Sequence, residues 1–158
     1  GFVVNRGGAT FDDVLRLMRS VGFGQPGPWW IHIHHGFNVK PLLAKYIKKL
    51  GVKIAIGSSS RNTPIILRQI GLDGYFDAVA DGNQITHSKP DPEVFLLGAK
   101  LLNLDPKNCM VVEDADAGVE AALNGGMRVL GVGSASANPK ATFTAASLAD
   151  ADFDEILK

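Results

Sequence analysis

The sequence predicts an α/β fold, a three-layer Rossmann-like parallel sheet with helices on both faces. Three observations carry that expectation. From residue 39 onward, short apolar runs alternate with amphipathic stretches, the pattern of parallel strands joined by helices. Helix punctuation falls between the runs, with Pro64 and Pro92 in first turns and Gly51, Gly71, Gly125 and Gly126 at stops. Hydroxyls and carboxylates follow directly after the runs, where an open parallel sheet binds its ligands.

Residues 1–38 do not share this rhythm and form an unassigned N-terminal segment. Thr10 and Asp13 resemble a capping box, and Phe11, Val14, Leu15, Met18 and Val21 supply one apolar face, so the spacing predicts a helix over 11–21. Gly22, Gly24, Pro26, Gly27 and Pro28 then read as a linker. Residues 29–34 alternate, Trp29, Ile31 and Ile33 against Trp30, His32 and His34, which permits a strand.

The core domain is expected over 39–158. A helix over 39–50 places Leu42, Leu43, Tyr46, Ile47 and Leu50 on one face and Lys45, Lys48 and Lys49 opposite. A buried strand over 52–56 follows, then a helix that opens near Pro64, carries Ile65, Ile66, Leu67 and Ile70, and ends at Gly71. Residues 78–80 make a short strand. Asp91, Pro92 and Glu93 read as an N-cap, a first-turn proline and a dipole-matched acid opening a helix that runs to Leu102. Residues 109–112 and 128–132 are strands, separated by an alanine-rich helix over 117–124. Residues 134–149 are small, polar and irregular, and Phe153, Ile156 and Leu157 suggest a final helix.

Composition narrows the function. Sixteen Lys and Arg balance sixteen Asp and Glu, so no overall field steers the chain toward nucleic acid or an anionic membrane, and any phosphate site must be built locally. The one cysteine, Cys109, lies in an apolar run and has no internal disulfide partner; with no signal peptide or spanning stretch in evidence, a cytoplasmic setting is expected.

Three strand ends carry the candidate chemistry. The 52–56 run leads into Gly57, Ser58, Ser59, Ser60, Arg61 and Asn62, the 78–80 run into Asp81, and the 109–112 run into Glu113, Asp114 and Asp116. Small hydroxyl residues entering a helix suit a phosphate, because short side chains let backbone N–H groups face the anion; an ordinary serine cap has the same look. Glu113 and Asp114 offer hard oxygens for Mg²⁺, or are simply first-turn helix acids. Lys89 precedes a helix, where its ammonium is either an anion ligand or a solvated surface charge; spacing alone leaves both open. His32, His34 and His35 raise a metal-binding reading that lacks an identifiable third ligand, His87 being remote in sequence.

Taken in order, Gly57-Ser58-Ser59-Ser60-Arg61-Asn62, Gly74-Tyr75-Phe76-Asp77, Ser88-Lys89-Pro90-Asp91-Pro92 and Val112-Glu113-Asp114-Ala115-Asp116-Ala117-Gly118 resemble the haloacid dehalogenase superfamily, in its beta-phosphoglucomutase-like branch. The resemblance runs from about residue 39 to 158. It implies phosphate binding by Ser58, Ser59, Ser60 and Asn62, a catalytic role for Lys89 in neutralising phosphate and nucleophile, and Mg²⁺ binding by Glu113 and Asp114. It implies phosphoryl transfer through an aspartyl phosphate, with small sugar phosphates as substrates and a mobile helical cap.

One motif of the family is missing from the sequence. The family opens with a strand ending in Asp-x-Asp, the nucleophile and the general acid/base, and no such string precedes the serine loop; Asp12-Asp13 has the wrong spacing and lies on a predicted helix. The later strings, Asp114 with Asp116, Asp150 with Asp152 and Asp152 with Asp154, come after that loop. The expectation is therefore a chain truncated or degenerate relative to working enzymes, without turnover as written, with residues 11–21 as a candidate cap remnant; a noncatalytic phosphate- or sugar-phosphate-binding domain is the alternative. The missing strand would lie between the 52–56 and 109–112 strands, leaving the sheet incomplete at its N-terminal strand and open to self-association through the gap. Phe2-Val3-Val4 and the 29–34 segment are the two local candidates to enter it, and the apolar, β-branched former better suits a strand buried on both faces.

Overall fold

The computed structural model describes residues 2–5, 53–69, 71–146 and 150–151. The helices expected over 11–21 and 39–50, the 29–34 strand with His32, His34 and His35, and the final helix around Phe153 lie outside the described residues.

Among the described residues, six strands form one sheet in the order β3-β2-β1-β4-β5-β6. They are β1 (Phe2–Asn5), β2 (Ile54–Gly57), β3 (Ala78–Ala80), β4 (Cys109–Glu113), β5 (Arg128–Gly131) and β6 (Phe143–Thr144). Between them run α1 (Thr63–Gln69), α2 (Glu93–Leu101) and α3 (Asp116–Asn124). The first strand occupies the expected gap. Phe2, Val3 and Val4 face Ile56, Ala55 and Ile54 on one side and Val112, Val111 and Met110 on the other. With the gap filled, the two facing edges that self-association would have used are already paired.

Direction is where the sheet departs from expectation. Strand β3 is parallel to β2, and β5 and β6 are parallel to β4, as the α/β reading requires. Strand β1 is antiparallel to both of its neighbours. The right-handed crossover rule governs parallel pairs, so it does not constrain a strand that pairs antiparallel on both sides. Because β2 and β4 both oppose β1, they point the same way, and their carboxyl ends share one edge.

Strand β4 is buried at all five positions, as a central strand must be. Its alternate side chains feed two cores. Cys109 and Val111 join Ala55, Ala80 and Val129 beneath α2 and α3, which contribute Val94, Phe95, Ala99, Val119, Ala121 and Ala122. Met110 and Val112 join Leu130, Val132, Ala145 and Ala151 on the other face. The β2-to-β3 crossover steps away from β1 in one direction and β4-to-β5 in the other; right-handed connections then put α1 on the face opposite α3. That reversal makes a topological switch point at the carboxyl ends of β2 and β4, the usual ligand position in such sheets.

Three local expectations shift. Helix α2 starts at Glu93 with Pro92 as N-cap, one residue later than expected, although Pro92 itself already has helical backbone angles; Asp91 still takes the Glu93 amide on Oδ1 at 2.9 Å. In α1 only Thr63 and Leu67 are buried, while Ile65 and Ile66 are exposed. The segment expected to be irregular contains a 3-10 turn over Gly133–Ala137 and edge strand β6, whose two residues are too short for a period to register. Among the described residues no helix is long and apolar enough to cross a membrane.

Candidate active site

The serine loop begins where β2 ends and is tied down by its own side chains. The Ser60 amide donates to Ser58 Oγ at 3.2 Å and the Asn62 amide to Ser60 Oγ at 3.1 Å, while Thr63 Oγ1 donates to the Ser60 carbonyl at 2.8 Å. The end of β3 braces it: the Ser58 amide reaches the Ala80 carbonyl at 3.0 Å and the Gly82 amide the Ser60 carbonyl at 3.2 Å. With each of these two hydroxyl oxygens accepting from the loop, its O–H hydrogen remains to be donated. The amides of Ser59 and Arg61 have no acceptor among the described residues. The loop is thus a preformed set of donors.

Lys89 connects this loop to β4. Its Nζ donates to Glu113 Oε2 at 2.9 Å, and its amide approaches Ser59 Oγ at 3.4 Å. The pair is sheltered, with the Lys89 side chain 16% and the Glu113 side chain 4% exposed. Beneath the ammonium lies the ring of Phe95, its centroid 4.5 Å from Nζ. Asp114 follows Glu113 on the exposed side of the same edge, and its carbonyl takes the Ala135 amide at 3.1 Å, fixing the backbone there. The structure therefore gathers Ser58, Ser59, Ser60, Asn62, Lys89, Glu113 and Asp114 at one edge of the sheet.

Asp81, expected as a third ligand-facing strand end, is instead 5% exposed and accepts the Asn83 amide at 2.8 Å, closing its own turn. Short acidic side chains compete for nearby backbone amides in this way, which a position after a strand does not reveal. Asp77 of the Gly74-Tyr75-Phe76-Asp77 motif is structural too: its Oδ2 takes the Ile54 amide at 2.9 Å while its own amide donates to the Ile54 carbonyl at 3.0 Å. Burial pushes the Tyr75 phenol up to about 12, and its hydroxyl has no hydrogen-bond partner among the described residues.

His87, Asp91 and Glu93 bring ligand-type atoms within 4.8 Å of one another beside α2. Their oxygens are engaged in holding the loop: Glu93 accepts the Thr86 amide at 3.0 Å and the His87 amide at 2.7 Å, and Asp91 accepts the Glu93 amide. Those backbone bonds, Thr86 foremost, hold the Glu93 carboxyl below its ordinary 4.5.

Two residues outside the expected set shape the site. Gly118, in the first turns of α3, has no room for a side chain, because the Glu113 carboxylate lies where its Cβ would be. Phe95 is fully buried and presses on Gly57, where an added Cβ would come within 2.7 Å of the ring. A glycine inside a helical pattern is a visible signal of close approach; the Phe95 spacing marks only a core position.

The family model for haloacid dehalogenase-like hydrolases matches residues 38–126. A beta-phosphoglucomutase of Bacillus subtilis is 41% identical over 87 residues, 55% of this chain and 38% of the relative. A phosphorylated carbohydrates phosphatase of Thermotoga maritima is 35% identical over 116 residues, 72% of this chain and 54% of the relative. The crystal structure of beta-phosphoglucomutase from Clostridium difficile superimposes with a TM-score of 0.64 at 35% identity, covering 73% of this chain and 52% of that one. The chain thus spans about half the length of these relatives or less. The matched segment and the edge of the sheet that carries the serine loop, the lysine and the acidic pair agree, and the chain belongs to the haloacid dehalogenase-like hydrolases, in their beta-phosphoglucomutase-like branch.

Proposed function

We propose that this chain is a phosphoryl-transfer module of the beta-phosphoglucomutase/phosphatase type that recognises small sugar phosphates and, as these 158 residues stand, binds phosphate without turning it over. The observation that carries the reading is the Lys89–Glu113 ion pair set between the serine loop and Asp114. Ser58, Ser60 and Asn62 supply neutral donors, and Lys89 supplies the positive charge that an entering phosphate needs. The relatives, named for a phosphoglucomutase and a phosphatase of phosphorylated carbohydrates, support the substrate class.

The donor set fits a magnesium ion. Asp114 is exposed and its carboxylate has no hydrogen-bond partner among the described residues, while Glu113 stands next to it with a second hard-oxygen group. Asp114 would be the principal ligand, with Glu113 beside it; a bound ion would screen phosphate charge. Lys89 holds its ammonium against Glu113 and the serine loop holds its donors outward, both prepared before any ligand enters.

Turnover is the step this chain does not supply. The central slot between β2 and β4 holds Phe-Val-Val-Asn, which has no carboxylate to attack phosphorus. Removal of a covalent nucleophile costs orders of magnitude in rate, because the remaining groups then have no bond-forming step to assist. The experiment is hydrolysis of an aryl phosphate with and without Mg²⁺, together with the thermal shift produced by inorganic phosphate. Expected are no hydrolysis above background and a phosphate-induced stabilisation that Lys89→Ala abolishes. Turnover that survives purification and disappears in Asp114→Ala would overturn the inactive reading, and a shift unchanged by Lys89→Ala would overturn the binding one.

A further inference from the structure

The environment of Lys89 is asymmetric. Among the described residues, one carboxylate, Glu113, meets the ammonium at 2.9 Å, and the second close group is the neutral Phe95 ring at 4.5 Å from Nζ to centroid. A lysine stem has four rotatable carbons, so a single ion pair leaves the head group many ways to lie. A second carboxylate would hold it too, but would repel an incoming phosphate. An aromatic face attracts the cation through its quadrupole and adds no net charge. The same ring abuts Gly57, the last residue of β2, immediately before Ser58. Phe95 therefore touches both the strand that launches the serine loop and the cation that faces it.

We propose that Phe95 is a positioning residue: its ring holds the Lys89 ammonium at the mouth of the sheet and fixes its distance from the serine loop through Gly57. The consequence for phosphate rests on the reading of Lys89 given above; the placement of the ammonium does not. Phe95 is fully buried, so truncation can damage the fold, and the decisive variants are therefore nearly isosteric: 4-fluoro-, 3,5-difluoro- and 3,4,5-trifluorophenylalanine at position 95, with Phe95→Leu alongside. Fluorine drains the ring face while the shape stays close to native.

Two readouts are needed, the ring-current shift of the Lys89 ε-methylene protons by NMR and the affinity for inorganic phosphate. Expected is an upfield shift in the native chain that shrinks stepwise with fluorination, with phosphate affinity falling roughly two- to fivefold across the series while the unfolding midpoint stays nearly constant. In Phe95→Leu the upfield shift should vanish. Native ε-protons without an upfield shift would overturn the proposal, as would phosphate affinity that binds natively but is unmoved by fluorination. If native protein binds no phosphate, the functional reading fails, and the ring-current series alone decides whether Phe95 holds the ammonium.

Discussion

At the scale of single residues, the site is held by close approaches more than by added contacts. The Glu113 carboxylate can reach Lys89 only because Gly118 leaves the space open. Gly118→Ala is expected to cost about 3 kcal/mol through overpacking, read as a lowered urea midpoint, since the side chain that must give way is buried and ion-paired. An unchanged midpoint would mean that Glu113 has another place to go. Cys109 illustrates a buried group with no chemistry assigned to it: burial first, then the nearby Asp105 charge, pushes its thiol up to about 11 from 9.0. The unfolded thiol therefore ionises first as pH rises from 9 toward 11, and this group's contribution to stability declines across that window. At pH 8 a disulfide reagent should label Cys109 in the native protein far more slowly than in urea; equal rates would contradict its burial.

At the scale of elements, the loop before α2 depends on Glu93. Because the folded carboxyl titrates below its ordinary 4.5, the stabilisation is fully present above that pH and is lost as pH falls through the lower folded value. The native unfolding midpoint should drop more steeply than that of Glu93→Gln below pH 4.5, with the two curves running parallel above it; matched curves throughout would show the clamp to be dispensable. Legibility in the sequence follows the same division. Strands β2, β3, β4 and β5 and helices α1, α2 and α3 were readable to within a residue or two, because their apolar periods and their glycine and proline stops are local signals. The serine loop, Lys89, Glu113 and Asp114 were readable from motif order and strand-end position. Phe95 and Asp81 were not, since each takes its role from a partner chosen by the tertiary fold: an ammonium six residues back, and an amide two residues on. Edge strand β6 was invisible because its two residues borrow their pairing entirely from β5.

At the scale of the whole molecule, β1 completes the sheet. Its backbone pairs on both sides, so the amides of Val3 and Val4 should exchange as slowly as those of residues 54–56 and 110–112. Deleting residues 2–5 should strip pairing from the facing edges of β2 and β4 and drive concentration-dependent association, visible by light scattering. Fast exchange at Val3 and Val4 with both neighbours protected would refute this role. The reversed direction of β1 has a practical corollary. Phe2 lies level with Ile56 and Val112, beside the serine loop, whereas Asn5 lies level with Cys109, some 10 Å further along at about 3.3 Å per residue. A fusion partner, purification tag or fluorescent dye joined ahead of Phe2 would thus emerge at the mouth proposed for phosphate and would block it or report on it, while an equivalent graft after Asn5 would leave from the opposite rim.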